Sequence, residues 1–415
     1  MYRRKIGPLA CFGVMASLAL LGVSQAAGWS FTETIVDEKP PQPDRVADIQ
    51  IVDVDDDGHP DLWCGGTKIA ADQQLSTWYT HENGTWRRHT PFPGPSQGGN
   101  WGDVDGDGDL DLITGQDRNS ARTGNHALVW MENPLRDGGD PASDIWAVHT
   151  IHNDPADPAE LHTDYIDAQG NRVRNLDLDG DGRLDLVIAA FKQTLWYLPG
   201  PPDPKAGPWR FYKIAESRYN QGGACIADLD GDNDLDIAWG RCWYENPGRP
   251  AVIPWEQHLI APGWPDESQV AIGDLDQDGW MDVVLAAHAT GHGLTWYRNP
   301  ARDPRQQWLR FRVLSGWRGL HSCQVADFDG DGDLDIFTAQ TSRQPEKRVA
   351  IIENQGSHGR KWQVHVLSTV GSHHAKVGDL DNDGDIDIAG VNDEVDIRPR
   401  VWVNPLNGAE PSPEP

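Results

Sequence analysis

Basic residues are scarce in this chain of 415 residues: 35 Lys and Arg stand against 64 Asp and Glu, a formal net charge of −29. A field of that sign repels phosphate backbones, and no basic stripe interrupts it, so a nucleic-acid partner is excluded. Cysteine is also rare. Cys64, Cys225, Cys242 and Cys323 form no Cys-x-x-Cys pair, and one disulfide among them stays open. Cys11 lacks the preceding apolar segment of a lipidation cysteine. Nucleophile and nucleotide signatures are missing as well. No Gly-x-Ser-x-Gly, His-Glu-x-x-His, phosphate-binding glycine loop or dinucleotide fingerprint occurs, so serine-triad hydrolysis has no support. The apolar run from about Leu9 to Val23 follows basic Arg3, Arg4 and Lys5 and precedes Ser24-Gln25-Ala26, a small-x-small cleavage pattern. It is too short for a retained span. Residues 1–26 therefore read as an export signal, and the mature chain is expected in a periplasm or the medium, with no membrane span after cleavage.

Aspartate, by contrast, recurs at fixed spacing. The motif Asp-x-Asp-x-Asp-Gly-x-x-Asp is written seven times. Its carboxylates are Asp53, Asp55, Asp57 and Asp61, then Asp103, Asp105, Asp107 and Asp111, then Asp177, Asp179, Asp181 and Asp185. The fourth and fifth copies are Asp228, Asp230, Asp232 and Asp236, and Asp274, Asp276, Asp278 and Asp282. The last two are Asp327, Asp329, Asp331 and Asp335, and Asp379, Asp381, Asp383 and Asp387. Spacing is 46 to 53 residues, apart from one gap of 74. That is an internal repeat.

Four carboxylates at loop positions 1, 3, 5 and 9, with a backbone carbonyl near position 7, suit the six to eight oxygen ligands of Ca²⁺. Glycine at position 6 permits the positive φ that folds the chain around an ion; Asn233 replaces it in the fourth loop. An EF-hand is excluded, because Cys64 and Thr114 stand where its bidentate Glu belongs and no helical pattern flanks any copy. Up to seven structural calcium ions are expected. They would cancel 14 charges and leave about −15.

Around each loop the repeat reads as four short strands. Gln324-Val325-Ala326 leads into a loop and Leu334 to Phe337 leaves it. A third strand ends in Asn-Pro, as in Trp130 to Pro134, Trp243 to Pro247 and Trp296 to Pro300. The fourth carries Trp with His three later, at Trp86 and His89, Trp146 and His149, Trp255 and His258, and Trp362 and His365. Four strands per repeat with turn signals between them is a β-propeller pattern. The expected fold is all-β, a seven-bladed β-propeller with an aspartate loop in each blade, over about 27–407, followed by a Pro/Glu-rich tail over 408–415. Trp29 to Val36 would complete the last blade and remove its open edge.

Loop, strand and period resemble the FG-GAP/VCBS repeat family, whose calcium-loop propellers also form integrin α heads and some fungal lectins. The repeated Trp-Tyr-x-Asn-Pro and Trp-x-x-His-x-Ile grammar resembles, more narrowly, the propeller of aldos-2-ulose dehydratase, a sugar lyase. The first resemblance implies fold and calcium; the second implies carbon–oxygen lyase chemistry on a sugar.

Recurrence separates scaffold from site. Trp78, Trp130, Trp196, Trp243, Trp296 and Trp402 recur and read as inter-blade packing, with His89, His149, His258 and His365 as their outer-strand partners. Non-recurring residues fall in the inter-blade links and the second-to-third turns, two loop sets that converge on the face opposite the aspartate loops. Among them His321, His373, His374, His288 and Arg172 are candidates for acid–base catalysis. Trp264, Trp317, Tyr219, Gln97, Gln221 and Asp117 are candidates for binding a ligand. Three close histidines can instead hold an additional transition metal. The long link from His152 to Asn171 is a candidate lid bearing His162, Asp164 and Tyr165. The reading favoured is an exported, calcium-stabilised monomer that binds a carbohydrate or other small molecule there. A sugar lyase and a protein-binding scaffold stand as alternatives.

Overall fold

In the computed structural model the described residues are 29–406, apart from 42–44, 68–75, 83, 95, 118–125, 154–175, 191–193, 218–222, 265–267, 357 and 393–394. Alternating apolar residues bounded by Gly, Asn, Asp and Pro give short antiparallel strands throughout. Seven sheets follow one another along the chain. The first blade is β2 (Arg45–Val52), β3 (Asp61–Thr67), β4 (Thr77–Glu82) and β5 (Thr85–His89). The second is β6 (Gln97–Gly102), β7 (Asp111–Asp117), β8 (His126–Glu132) and β9 (Ala147–Asn153). Among the described residues the third shows β10 (Leu186–Ala190), β11 (Thr194–Leu198) and β12 (Tyr212–Glu216). The fourth holds β13 (Ala224–Ala227) to β16 (Glu256–Leu259), the fifth β17 (Ser268–Gly273) to β20 (Leu309–Leu314), and the sixth β21 (Leu320–Ala326) to β24 (Trp362–Ser368). In the seventh, β25 (His374–Gly378), β26 (Asp387–Val391) and β27 (Arg400–Val403) are joined by β1 (Thr32–Ile35).

β1 pairs antiparallel with β27, Thr32 opposite Val403 and Ile35 opposite Arg400. Residues near the two ends of the chain thus share one sheet, and the expected closing strand is present. First strands face one another around the axis: β2 lies against β6 and β25, β13 against β17, and β21 against β17 and β25. They therefore line the channel, and fourth strands form the rim. The apolar core sits between blades; one cluster joins Val52, Trp63 and Trp78 of the first blade to Trp101, Leu112 and Val129 of the second. There the Trp63 ring lies so close to Gly99 that a Cβ would stand 2.5 Å from it, so no larger residue fits.

Four of the recurring third-strand Trp rings, Trp78, Trp130, Trp243 and Trp296, are covered by an outer-strand ring. His89 packs on Trp78, His149 on Trp130 and His258 on Trp243, with centroids 4.3 to 4.7 Å apart. His365 stacks on Trp29 at 4.5 Å, and in the fifth blade Phe311 takes the place of histidine over Trp296. Cys64, Cys225, Cys242 and Cys323 are all buried and none is joined in a disulfide. Among the described residues no helix is long and apolar enough to cross a membrane.

Candidate functional site

The aspartate loops join first to second strands at one end of the channel. Position 6 has positive φ in all seven, from +73° at Asn233 to +99° at Gly108. Position 4 does too, from +55° at Asp56 to +81° at Gly106, with Gln277 and Asn382 also in this region. The tight winding puts successive carboxylates on one centre. Oxygens of Asp53, Asp55 and Asp57, of Asp103, Asp105 and Asp107, and of Asp177, Asp179 and Asp185 approach within 4.8 Å of one another.

The ninth-position Asp is buried and works for the backbone as well. One oxygen accepts from the N–H of position 2, as in Val104 to Asp111 (2.9 Å) and Phe328 to Asp335 (3.1 Å). The other accepts from the residue that ends the third strand, as in Asn133 to Asp111 (2.9 Å) and Asn354 to Asp335 (2.7 Å). Burial pushes Asp61, Asp111, Asp236, Asp282 and Asp335 up to about 8. Burial, then the neighbouring Asp57 and Asp53 charges, push Asp55 up to about 6. Buried oxygens of Asp55, Asp109, Asp234, Asp276 and Asp383 meet no hydrogen-bond donor. Crowded, desolvated carboxylates with unsatisfied oxygens fit a hard cation. Protein cations already reach three of the position-3 carboxylates: Lys205 meets Asp105 at 3.1 Å, Arg305 meets Asp230 at 3.4 Å, and Arg298 pairs with Asp276.

The Asn of the Asn-Pro signature has a role that the sequence reading missed. Asn133 Nδ2 donates to the Val54 carbonyl in the first blade's loop, 2.9 Å away. Asn299 does the same to Leu229 and Asn404 to Phe328, and so does Asn354, which is followed by Gln355 and not by Pro, to Leu275; each reaches the preceding blade. Recurrence of Asn-Pro was the signal available; its inter-blade partner was not.

At the opposite end four histidines come together. His321 lies in β21 six residues before the sixth loop, about 20 Å away along an extended strand. His321 and His373 stack with centroids 3.9 Å apart, His373 and His374 lie at 4.3 Å, and His288 meets His321 edge-on at 4.9 Å. His321 and His373 are 7% and 4% exposed. The register of β21 against β22 (Asp335–Gln340) slips between Leu320 and Ser322, so His321 is the bulged residue and its side chain is re-aimed. His373 is held by its own N–H, which donates to Val391 O at 2.9 Å, while Ser372 Oγ donates to His374 O at 2.6 Å. The His321 Nδ1 stands 3.1 Å from the His373 carbonyl. A carbonyl only accepts, so Nδ1 carries the proton and a neutral ring keeps its lone pair on Nε2. Asp48, beyond a matching slip in β2, brings Oδ1 to 3.9 Å from His374 Nδ1. The sequence reading did not single out Asp48, although it is an acid within a channel strand that is otherwise mostly apolar.

The structure thus unites His288, His321, His373 and His374 and treats the other candidates differently. Trp264 is corrected: it is 3% exposed in the core between the fourth and fifth blades, its Nε1 donating to Ser268, so its ring cannot stack on a ligand. Trp317 is half-buried with Arg348 over its ring at 4.6 Å. Gln97 and Asp117 belong to β6 and β7, their side chains outside the described residues. Arg172, Tyr219 and Gln221, and the proposed lid residues His162, Asp164 and Tyr165, also lie outside them.

The FG-GAP-like repeat family matches residues 53–114, 177–239, 274–338 and 327–390, together more than half of the chain. No curated protein matches it. Similar solved structures include an Agrocybe aegerita lectin that recognises non-reducing terminal N-acetylglucosamine, at 16% identity and TM-score 0.50, covering 82% of this chain and 81% of that one. Another is BBS1N in complex with ARL6DN, at 9% identity and TM-score 0.51, covering 92% and 99%. Rhamnogalacturonan lyase YesW has 14% identity and TM-score 0.48, covering 90% and 76%. At such identities the likeness is one of fold.

Proposed function

The chain belongs to the FG-GAP-like repeat family, and from that premise we propose an exported, calcium-stabilised propeller that binds a carbohydrate at the channel mouth opposite its aspartate loops. Calcium would be held by the position 1, 3, 5 and 9 aspartates of each loop, and it supplies charge neutralisation and fixed loop geometry. It takes no part at the other mouth. The observation that carries the ligand site is the group of four imidazoles there, because among the described residues no other blade repeats it. Neutral imidazole offers one donor and one acceptor, which matches the dual character of a sugar hydroxyl. Asp48 and Gln50, joined by a 2.8 Å hydrogen bond, place further polar groups beside them. Sugar recognition in the Agrocybe lectin belongs to that protein, and for this chain it motivates the choice of probe.

A lyase reading is favoured by one detail. A His321 ring with its proton fixed on Nδ1 presents Nε2 as a base for a proton beside a carbonyl or carboxylate. Proton NMR of the mature protein with a mixed oligosaccharide pool in calcium buffer tests both readings. Saturation transfer that disappears in His373→Ala is the expected result. New vinylic signals overnight would assign the lyase instead. If neither appears, the carbohydrate reading falls and a protein partner takes its place.

A further inference from the structure

We propose that His321, His373 and His374 together hold one divalent transition-metal ion of the zinc class, with a coordination position left open to the channel. This deepens the ligand site proposed above, but the metal itself is argued and tested without any sugar. One ring nitrogen from each of the three lies within 4.8 Å of the others. Three nitrogens about 2.1 Å from one tetrahedral ion stand about 3.4 Å apart, so small ring rotations complete the set. Imidazole nitrogen suits zinc and its neighbours, whereas calcium requires the oxygens gathered at the other face.

The surroundings match what a metal-binding histidine needs. Its second nitrogen ordinarily donates to a carbonyl or carboxylate, which fixes the tautomer and the ring plane. His321 has the His373 carbonyl at 3.1 Å for this, and the Asp48 carboxylate stands 3.9 Å from His374 Nδ1, near enough to attract it but longer than a hydrogen bond. The bulge at His321 and the hydrogen bonds of Ser372 and the His373 backbone hold all three on the channel strands of adjacent blades. A second group, Glu245, Glu256 and His258, also meets the spacing. There Glu245 is already engaged by His258 and Arg305, so it lacks the same case.

Three protein ligands leave a fourth position, as in sites that bind substrate rather than in closed structural ones. Neutral imidazoles leave the ion its full double charge. In a chain of formal charge −29, that makes this mouth a local attractor for anions. The ligand class is therefore an oxygen chelator bearing a carboxylate beside a hydroxyl, as in a uronate sugar.

The experiment is a zinc titration by calorimetry on calcium-loaded protein, previously dialysed against phenanthroline in millimolar calcium, with cobalt absorption as a second probe. One equivalent of zinc is expected for the native chain, lost in His321→Ala and His373→Ala. The partly exposed His374→Gln is a third variant for which misfolding is less of a concern. Each variant must keep the native calcium-dependent melting curve. Absence of a stoichiometric zinc site, or undiminished binding in folded variants, overturns the metal proposal. Galacturonate is then titrated with and without zinc. Affinity at least tenfold higher with zinc supports the ligand class, and equal affinity overturns it. Failure with both neutral oligosaccharides and galacturonate would remove the carbohydrate reading while leaving the zinc titration untouched.

Discussion

The two ends of the channel follow opposite rules. At one end the same loop is built seven times, each copy with positive φ at positions 4 and 6 and a buried ninth aspartate. At the other, four histidines from three consecutive blades meet, and among the described residues nothing resembling them recurs around the ring. Repetition distributes a stabilising device over the whole molecule. A singular cluster has no counterpart in the other blades to share a stabilising role, which is why we propose a binding role for it.

The sharpest test of that contrast is removal of calcium. An ion bound only by the native state contributes about 2.7 kcal/mol per site at a hundredfold excess over its dissociation constant. With several of the seven loops filled, decalcification should lower the melting temperature by tens of degrees, followed by circular dichroism. An unchanged curve in excess EDTA would sink the calcium assignment. Zinc removal with phenanthroline should move the same curve by far less.

Next in size are changes within one repeat. Asp335 accepts from both Phe328 and Asn354 N–H groups, and Asp335→Ala leaves two buried donors unsatisfied at about 1–3 kcal/mol each. Part of that loss should persist without calcium. Asn354→Ala removes the side-chain links to Leu275 of the preceding blade and to Leu334 of its own, at about 1 kcal/mol, and should leave calcium affinity unchanged. Chemical denaturation of both variants, with and without calcium, separates the two roles. A loss in Asp335→Ala confined to the calcium-loaded protein would make that carboxylate a ligand alone.

The aspartate face was legible in the sequence because each of its features is local. Carboxylate spacing, the position 6 residue and the flanking strands all lie within nine residues of one another, and they repeat. Position 4 was missed because Asp56, Gln277 and Asn382 stand there beside glycines, so composition hides a shared backbone geometry. The Asn clasp was missed because its acceptor is some 70 to 79 residues away. On the other face, topology brought His288, His321, His373 and His374 to one mouth as expected. Trp264 was misplaced because chain position told which loop set it occupies but not which way the ring turns. It turns inward, where burying a large apolar ring is favourable. The bulge that aims His321 is a register effect and leaves no mark in composition.

A dependence on pH remains, and its sign divides the calcium-loaded from the calcium-free protein. Without metal, burial raises the Asp61, Asp111, Asp236, Asp282 and Asp335 carboxyls to about 8. In the unfolded chain they titrate near the ordinary value of about 3.9. The folded pKa is the higher one, so between these limits the folded state holds more protons than the unfolded. The associated stability is fully present below about pH 4 and is lost as pH rises through about 8. Acidification from about pH 8 to 5 should therefore stabilise the metal-free protein. In the loaded protein calcium keeps the same carboxylates ionised, protons compete with it, and acidification should destabilise. The difference in melting temperature between the two forms should narrow steadily across that interval. A gap that stays constant would mean that protons and calcium do not share these oxygens. The calcium-dependent part of the stability would then have to come from oxygens other than those of the ninth-position aspartates.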